Sequence, residues 1–359
     1  MAPQNSTQSQ RTKLPRSLRL MRSLIIFFAI LSVGIILIVE FVPGQSPVKS
    51  DTTTTTKAPV TTTTVPPPWS SAAKGLYSYA SYQTTLTEPG TNLCVHINGV
   101  LSCGPRQLGL GVYYPVLASD SNSVPYRGSN ELPLVLFAPG YYEYYWDYAP
   151  LLQSLVSAGY VVIGINFPLN DPSSPGGANE NDILNQPKDM SSVISWAIGE
   201  NNSPTSKLFG LMNLKDIVAT GQSDGGDTAL ALSYNTCCTD ARVAAAVIYS
   251  GAELATFPGV YFSAGQDIPL LVAQGTNDTI NPQALSQQIY ALAPAPKFYL
   301  SLLGEDHLSA YTEPNSYEQV VAAVTVDFID GYVLHENASA LQMTTDGNHS
   351  GISTLTSDP

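Results

Sequence analysis

The stretch Asp216-Ile-Val-Ala-Thr-Gly-Gln-Ser-Asp-Gly-Gly-Asp-Thr-Ala-Leu-Ala-Leu232 decides how this chain folds. It begins as a short apolar strand, turns with a glycine on either side of Ser223, and continues as a helix with Ala229, Leu230 and Leu232 available for packing. In this Gly-x-Ser-x-Gly layout, Gly221 and Gly225 lack a Cβ where the chain must reverse sharply and approach its neighbours closely. Ser223 is therefore expected at the tip of a strained strand-to-helix turn, with its hydroxyl in open space. Backbone N–H groups at the start of the helix would aim at whatever lies over that hydroxyl, which suits developing negative charge. The same layout occurs by chance in loops, so its surroundings decide the reading.

Outward from this turn the sequence alternates between strand and helix. Apolar runs at Leu134–Ala138, Val161–Ile165, Ile217–Thr220, Val243–Tyr249, Leu270–Ala273 and Phe298–Leu303 suit parallel strands buried on both faces. Between them, Met190, Val193, Ile194, Ala197 and Ile198 fall at helical spacing, and Tyr317–Val333 reads as a closing helix. The expected fold is α/β, with a mostly parallel central sheet flanked by helices. Ahead of it, segments around Tyr77–Tyr82, Cys94–Cys103 and Leu110–Pro115 read as antiparallel strands, with Asn98-Gly99 a hairpin turn. The folded domain is expected over residues 69–337, and the Ser, Thr and Gly-rich tail 338–359 is expected to be disordered.

The N-terminus reads differently. Residues 1–22 are polar and carry Arg11, Lys13, Arg16, Arg19 and Arg22 just before an apolar run. That run, Leu24 to Val42, covers about 19 residues, close to the ~20 that cross a bilayer as a helix. Basic residues before it and no A-x-A-like cleavage site after it favour an uncleaved transmembrane signal anchor over residues 23–42, with residues 1–22 cytoplasmic. A cleaved signal peptide, which would leave the domain secreted, is the competing reading. Residues 43–68 are Thr, Pro and Val and cannot bury a core, so they read as a stalk.

Composition excludes some functions. The chain has 359 residues and a formal net charge of -13, with only 15 Lys and Arg, several of them before the apolar run. This speaks against a phosphate-neutralising surface and hence against nucleic acid as a partner. The four cysteines, Cys94, Cys103, Cys237 and Cys238, show no zinc spacing, so no structural metal is expected; no cofactor is expected either. Export permits disulfides: Cys94 and Cys103 flank the hairpin and are expected to pair, while Cys237 and Cys238 are either a vicinal pair or free thiols.

In a parallel sheet, ligands bind outside the carboxyl ends of the strands. Three loops there carry reactive side chains: Ser223 after its strand, Asp278 in Gln274-Gly-Thr-Asn-Asp-Thr-Ile-Asn-Pro282, and His307 in Gly304-Glu-Asp-His307. Serine needs a neighbouring base, imidazole suits neutral pH, and a carboxylate fixes the imidazole tautomer. Of the four histidines, His96 lies in the early hairpin, His335 after the closing helix and His349 in the tail, which leaves His307. Two N–H donors for an oxyanion are expected from Asp224, directly after the nucleophile, and from Tyr141 in Ala138-Pro-Gly-Tyr-Tyr142. The aromatic run that follows suggests Tyr142, Tyr144 and Tyr145 as substrate contacts.

Gly111-Val-Tyr-Tyr-Pro115, Ala138-Pro-Gly-Tyr141, Ala158-Gly-Tyr-Val-Val-Ile163, Gly221-Gln-Ser-Asp-Gly-Gly226, Gly275-Thr-Asn-Asp278 and Asp306-His307 together resemble the alpha/beta-hydrolase superfamily. The similarity runs from about Leu110 to Leu334. Its nearest look is to the branch of polyester hydrolases and cutinase-like enzymes, chlorophyllases and dienelactone-hydrolase-like proteins. The resemblance implies an alpha/beta-hydrolase fold and a serine esterase or lipase acting on a small-molecule or lipid ester. In it Ser223 would be the nucleophile, Asp278 and His307 its partners, and Tyr141 and Asp224 the oxyanion hole. Peptidases share this constellation, and a non-catalytic surface binding protein on a degenerate hydrolase fold is the alternative from another class. Gln222 and Asp224 stand where polyester hydrolases usually carry His or Trp and Met, and an acid beside the nucleophile disfavours anionic substrates.

Overall fold

Among the described residues, nine strands form one sheet: β1 (Ser78–Ile97), β2 (Val100–Val116), β3 (Leu132–Ala138), β4 (Val161–Asn166), β5 (Met212–Gln222), β6 (Val243–Tyr249), β7 (Leu270–Gly275), β8 (Lys297–Leu302) and β9 (Ser353–Asp358). Their spatial order is β1-β2-β4-β3-β5-β6-β7-β8-β9. The six central strands are parallel, while the edge pairings β1–β2, β2–β4 and β8–β9 are antiparallel. The computed structural model describes residues 77–117, 123–127, 130–263 and 267–359. The basic segment 1–22, the anchor 23–42 and the stalk 43–68 lie outside these. Among the described residues no helix is long and apolar enough to cross a membrane.

Alternation along the central strands splits the core in two. Leu134, Leu136, Ile217, Ala219, Ala246, Ile248, Leu270 and Val272 face one layer, where α2 (Gln186–Asn202), α3 (Asp224–Tyr234) and α4 (Gln283–Leu292) pack. Val135, Phe137, Val218, Val247, Leu271 and Ala273 face the other, covered by α1 (Ala149–Ala158) and α5 (Ser316–Tyr332). This period of two on strands with no polar face is what burial on both sides requires. Each such Leu, Val or Ile contributes about 1.5–3 kcal/mol by leaving water.

The tail departs from expectation. Residues 338–359 are ordered: α6 (Asn337–Asp346) packs on α5, and β9 pairs with β8 from Lys297↔Asp358 to Leu302↔Ser353. Composition alone misses this, because the tail draws its stability from what it docks against. Met343 enters the core at 1% exposure, and Gly331 lets Ala340 come so close that a Cβ would lie 2.8 Å from its nitrogen. Without β9, the outer side of β8 would leave a row of backbone groups unpaired.

Two further features frame the site. Asn98 and Gly99 both take positive φ at the tip of the β1–β2 hairpin, and directly opposed Cys94 and Cys103 are bonded across it. Cys237 and Cys238 are bonded to each other. On β2 the buried Arg106 grips Asp189 of α2 and, at 2.7 and 3.0 Å, Asp182 of the helical turn Glu180–Asn185. A buried guanidinium is tolerated only when its donors are engaged in this way. The clamp fixes the segment that carries Glu180.

Candidate active site

Ser223 sits between β5 and α3 with φ 53° and ψ −124°, a conformation that costs a non-glycine residue about 1–3 kcal/mol. The turn is held by Ser223 N–H donating to Tyr249 O at 2.9 Å and by Asp227 N–H donating to Ser223 O at 2.9 Å. Glycine is obligatory on both sides. A Cβ on Gly221 would stand 2.1 Å from Gly225 O, and one on Gly225 would stand 2.0 Å from Ala138 O.

Two strands along, the loop after β7 presents Asp278 and the loop after β8 presents His307. His307 Nδ1 lies 2.6 Å from Asp278 Oδ2. A carboxylate only accepts, so Nδ1 carries the proton and the neutral ring keeps its lone pair at Nε2. The same carboxylate accepts from Gln274 Nε2 at 2.6 Å and from the N–H groups of Ile280 and Asn281, each at 2.9 Å. Burial works to raise this carboxyl. The His307 hydrogen bond and charge, with the Asn281 and Ile280 N–H groups, outweigh it and hold the group below its ordinary range.

β3 and β5 are adjacent, with Ala138 opposite Gly221, and the chain reverses direction across the sheet between them. Clefts form at such a switch point. Here one of about 470 Å³ is lined by Gly140, Tyr141, Gln222, Ser223, Asp224 and His307, among others. Ser223 and His307 share this cleft without a direct hydrogen bond, as acid–base pairs commonly do before substrate draws them together. Larger grooves of about 670 and 620 Å³ bring no serine and histidine together. The N–H groups of Tyr141 and Asp224 meet no protein acceptor among the described residues.

The chain matches no protein-family model and no curated protein.

The cleft is acidic, with Glu143, Glu180 and Asp224 on its wall and no lysine or arginine. Burial, and then the charge of Glu180, push Asp224 up to about 6 against the pull of His307, and its Oδ2 is buried without a partner. Glu143 is pushed up to about 7 by burial and by its hydrogen bond and charge contact with Asp147.

The substrate contacts expected from the aromatic run do not converge here. Tyr145 is a core residue, 2% exposed: its ring fills the slot left by Gly111 and Gly164, and its hydroxyl accepts from Gln83 Nε2 at 2.9 Å. A large ring beside two glycines gains more from close packing than from facing a cleft. Tyr144 stacks on Trp146 with ring centroids 4.3 Å apart, and Tyr142 is exposed; neither lines the cleft around Ser223. Tyr141 does.

Other residues that spacing did not reveal hold the site together. Asn170 Nδ2 donates to Gly140 O at 2.7 Å while its own carbonyl accepts from Tyr142 N–H at 2.7 Å. Tyr148 hydroxyl accepts from Gly140 N–H and donates to Gln222 Oε1, and Gln222 Nε2 donates to His307 O. Gln222 and Gln274 each stand near the carboxyl end of a strand, just after an apolar run. A buried amide in that place was the available signal.

Proposed function

We propose that the protein is a serine hydrolase on an alpha/beta-hydrolase fold that cleaves carboxylic esters, held outside the cytoplasm by an N-terminal anchor. The observation that carries this reading is the 2.6 Å Asp278–His307 bond, on loops beside a strained Ser223 at the carboxyl edge of the sheet. In the reaction, His307 Nε2 takes the proton of Ser223 as its Oγ attacks the ester carbonyl. Asp278 stabilises the imidazolium. The N–H groups of Tyr141 and Asp224 are free to receive the oxyanion, where each such donor is worth on the order of 10²–10³ in kcat. The imidazolium then returns its proton to the departing alkoxide, leaving an acyl-serine. Water, deprotonated by the same histidine, attacks that acyl group and releases the acid. Anchoring and export rest on the residue pattern of 1–42.

The test is labelling with a fluorophosphonate probe alongside hydrolysis of p-nitrophenyl acetate. Wild type labels and turns over; Ser223→Ala does neither, with a loss on the order of 10⁶ in kcat and an unchanged fold. Normal labelling of Ser223→Ala refutes the assignment.

A further inference from the structure

Gln222 is 1% exposed at the carboxyl end of β5, just beyond the buried apolar run Ile217–Ala219, where an unbonded amide would be strongly disfavoured. Both ends of that amide are engaged, and by two different loops. Nε2 donates to the main-chain carbonyl of His307 at 2.8 Å, and Oε1 accepts from Tyr148 hydroxyl at 2.7 Å. Tyr148, fully buried, in turn accepts from Gly140 N–H at 3.1 Å. Gly140 lies directly on this pair: a Cβ there would fall 2.6 Å from Gln222 Oε1 and 3.3 Å from Ser223 Cβ.

We propose that Gln222 is a positioning residue that locks the Gly140–Tyr141 loop, the serine turn and the His307 loop into one arrangement, so that base and oxyanion donor address the same point above Ser223. The proposal rests on the hydrolytic reading. His307 is held twice, its ring by Asp278 and its main chain by Gln222, so the imidazole is referred to the residue next to the nucleophile. The other arm acts on the oxyanion donor. Gly140 N–H is tied to Tyr148, and Gly140 O is tied to Asn170 Nδ2 at 2.7 Å and to Glu143 N–H at 3.2 Å. In a trans peptide the N–H of Tyr141 points opposite to that carbonyl, so fixing Gly140 O fixes the donor's aim. A residue that filled space alone would need only the volume of Gln222. The amide is needed if the two loops must be held in register.

Gln222→Met keeps the length and removes both hydrogen bonds. It is expected to lower kcat for p-nitrophenyl acetate on the order of 10²-fold, with KM within about threefold and the fluorophosphonate labelling rate falling in parallel. Tyr148→Phe cuts one arm and is expected to cost about tenfold in kcat. The double variant is expected to be no worse than Gln222→Met, because both cut the same chain. Should Gln222→Met fail to fold, Gln222→Glu carries the test: it keeps the acceptor for Tyr148 and sets a carboxylate oxygen against His307 O, with an equal or larger loss in kcat. Wild-type kcat in the variant measured, or losses that add in full in the double variant, overturn the proposal. A wild-type protein that neither labels nor hydrolyses the ester overturns instead the function on which it rests, and does so before any variant is made.

Discussion

The pocket behind His307 holds a buried aspartate and the wall beside Ser223 a half-buried one, and they treat it in opposite ways. Asp278 is ringed by donors, and its carboxyl is held below the ordinary range despite burial. Asp224 is half-buried beside another acid, with its Oδ2 buried and unpartnered, and it is pushed up to about 6. Depth therefore does not set the behaviour of a carboxyl here; the donors around it do. The signs of the two pH dependences follow. Asp278 adds stability above its unfolded value, near 3.8, and loses it as pH falls through its lower folded value. The neutral form of Asp224 suits the fold at low pH, and that contribution is lost as pH rises from 3.8 through about 6.

The largest way to break this comparison is Asp278→Asn, which keeps the shape: the amide oxygen stays with the Ile280 and Asn281 N–H groups, and an NH2 donor replaces the carboxylate oxygen that sets the His307 tautomer. A fall in kcat of about 10⁴ is expected, read with p-nitrophenyl acetate and with melting temperature as the control for folding. A loss under tenfold would mean that the ring of donors around Asp278 is structural.

A smaller effect sharpens the other half. Asp224→Asn removes an unpaired buried charge, so it should stabilise the protein by about 1–3 kcal/mol at pH 8 and leave stability unchanged at pH 4, measured by denaturant melts. In the same variant the preference for p-nitrophenyl acetate over the succinate half-ester should shrink about tenfold at pH 8, since a like charge has left the cleft wall. In wild type that preference should grow as pH rises through about 6. A preference unchanged by the substitution would place charge discrimination elsewhere. The smallest effect is expected outside both regions: Tyr145→Phe loses its bond with Gln83 and about 1 kcal/mol of stability, with kcat/KM within about twofold.

The central strands were legible because strands buried on both faces write continuous apolar runs, and the serine turn because only glycine fits at 221 and 225. Asp278 and His307 were legible through their place after strands. Tyr145 was not, since adjacency to Tyr141 in sequence says nothing about which way a ring turns once Gly111 and Gly164 open a slot for it. Gln222 read as a departure from a motif, because its meaning lies in Tyr148 and the His307 carbonyl, which are remote in the chain. The ordered tail was hidden for a similar reason: its stability belongs to an interface.

That tail has a consequence beyond architecture. β9, six residues long, occupies the outer rim of β8, whose N–H and C=O groups would otherwise form an open template for another chain. β8 carries the apolar side chains Phe298, Leu300 and Leu302, the composition that makes a bare rim adhesive. The rim that remains open is β9 itself, whose Ser, Thr and Asp side chains make a poorer template for a second chain than the apolar strand it covers.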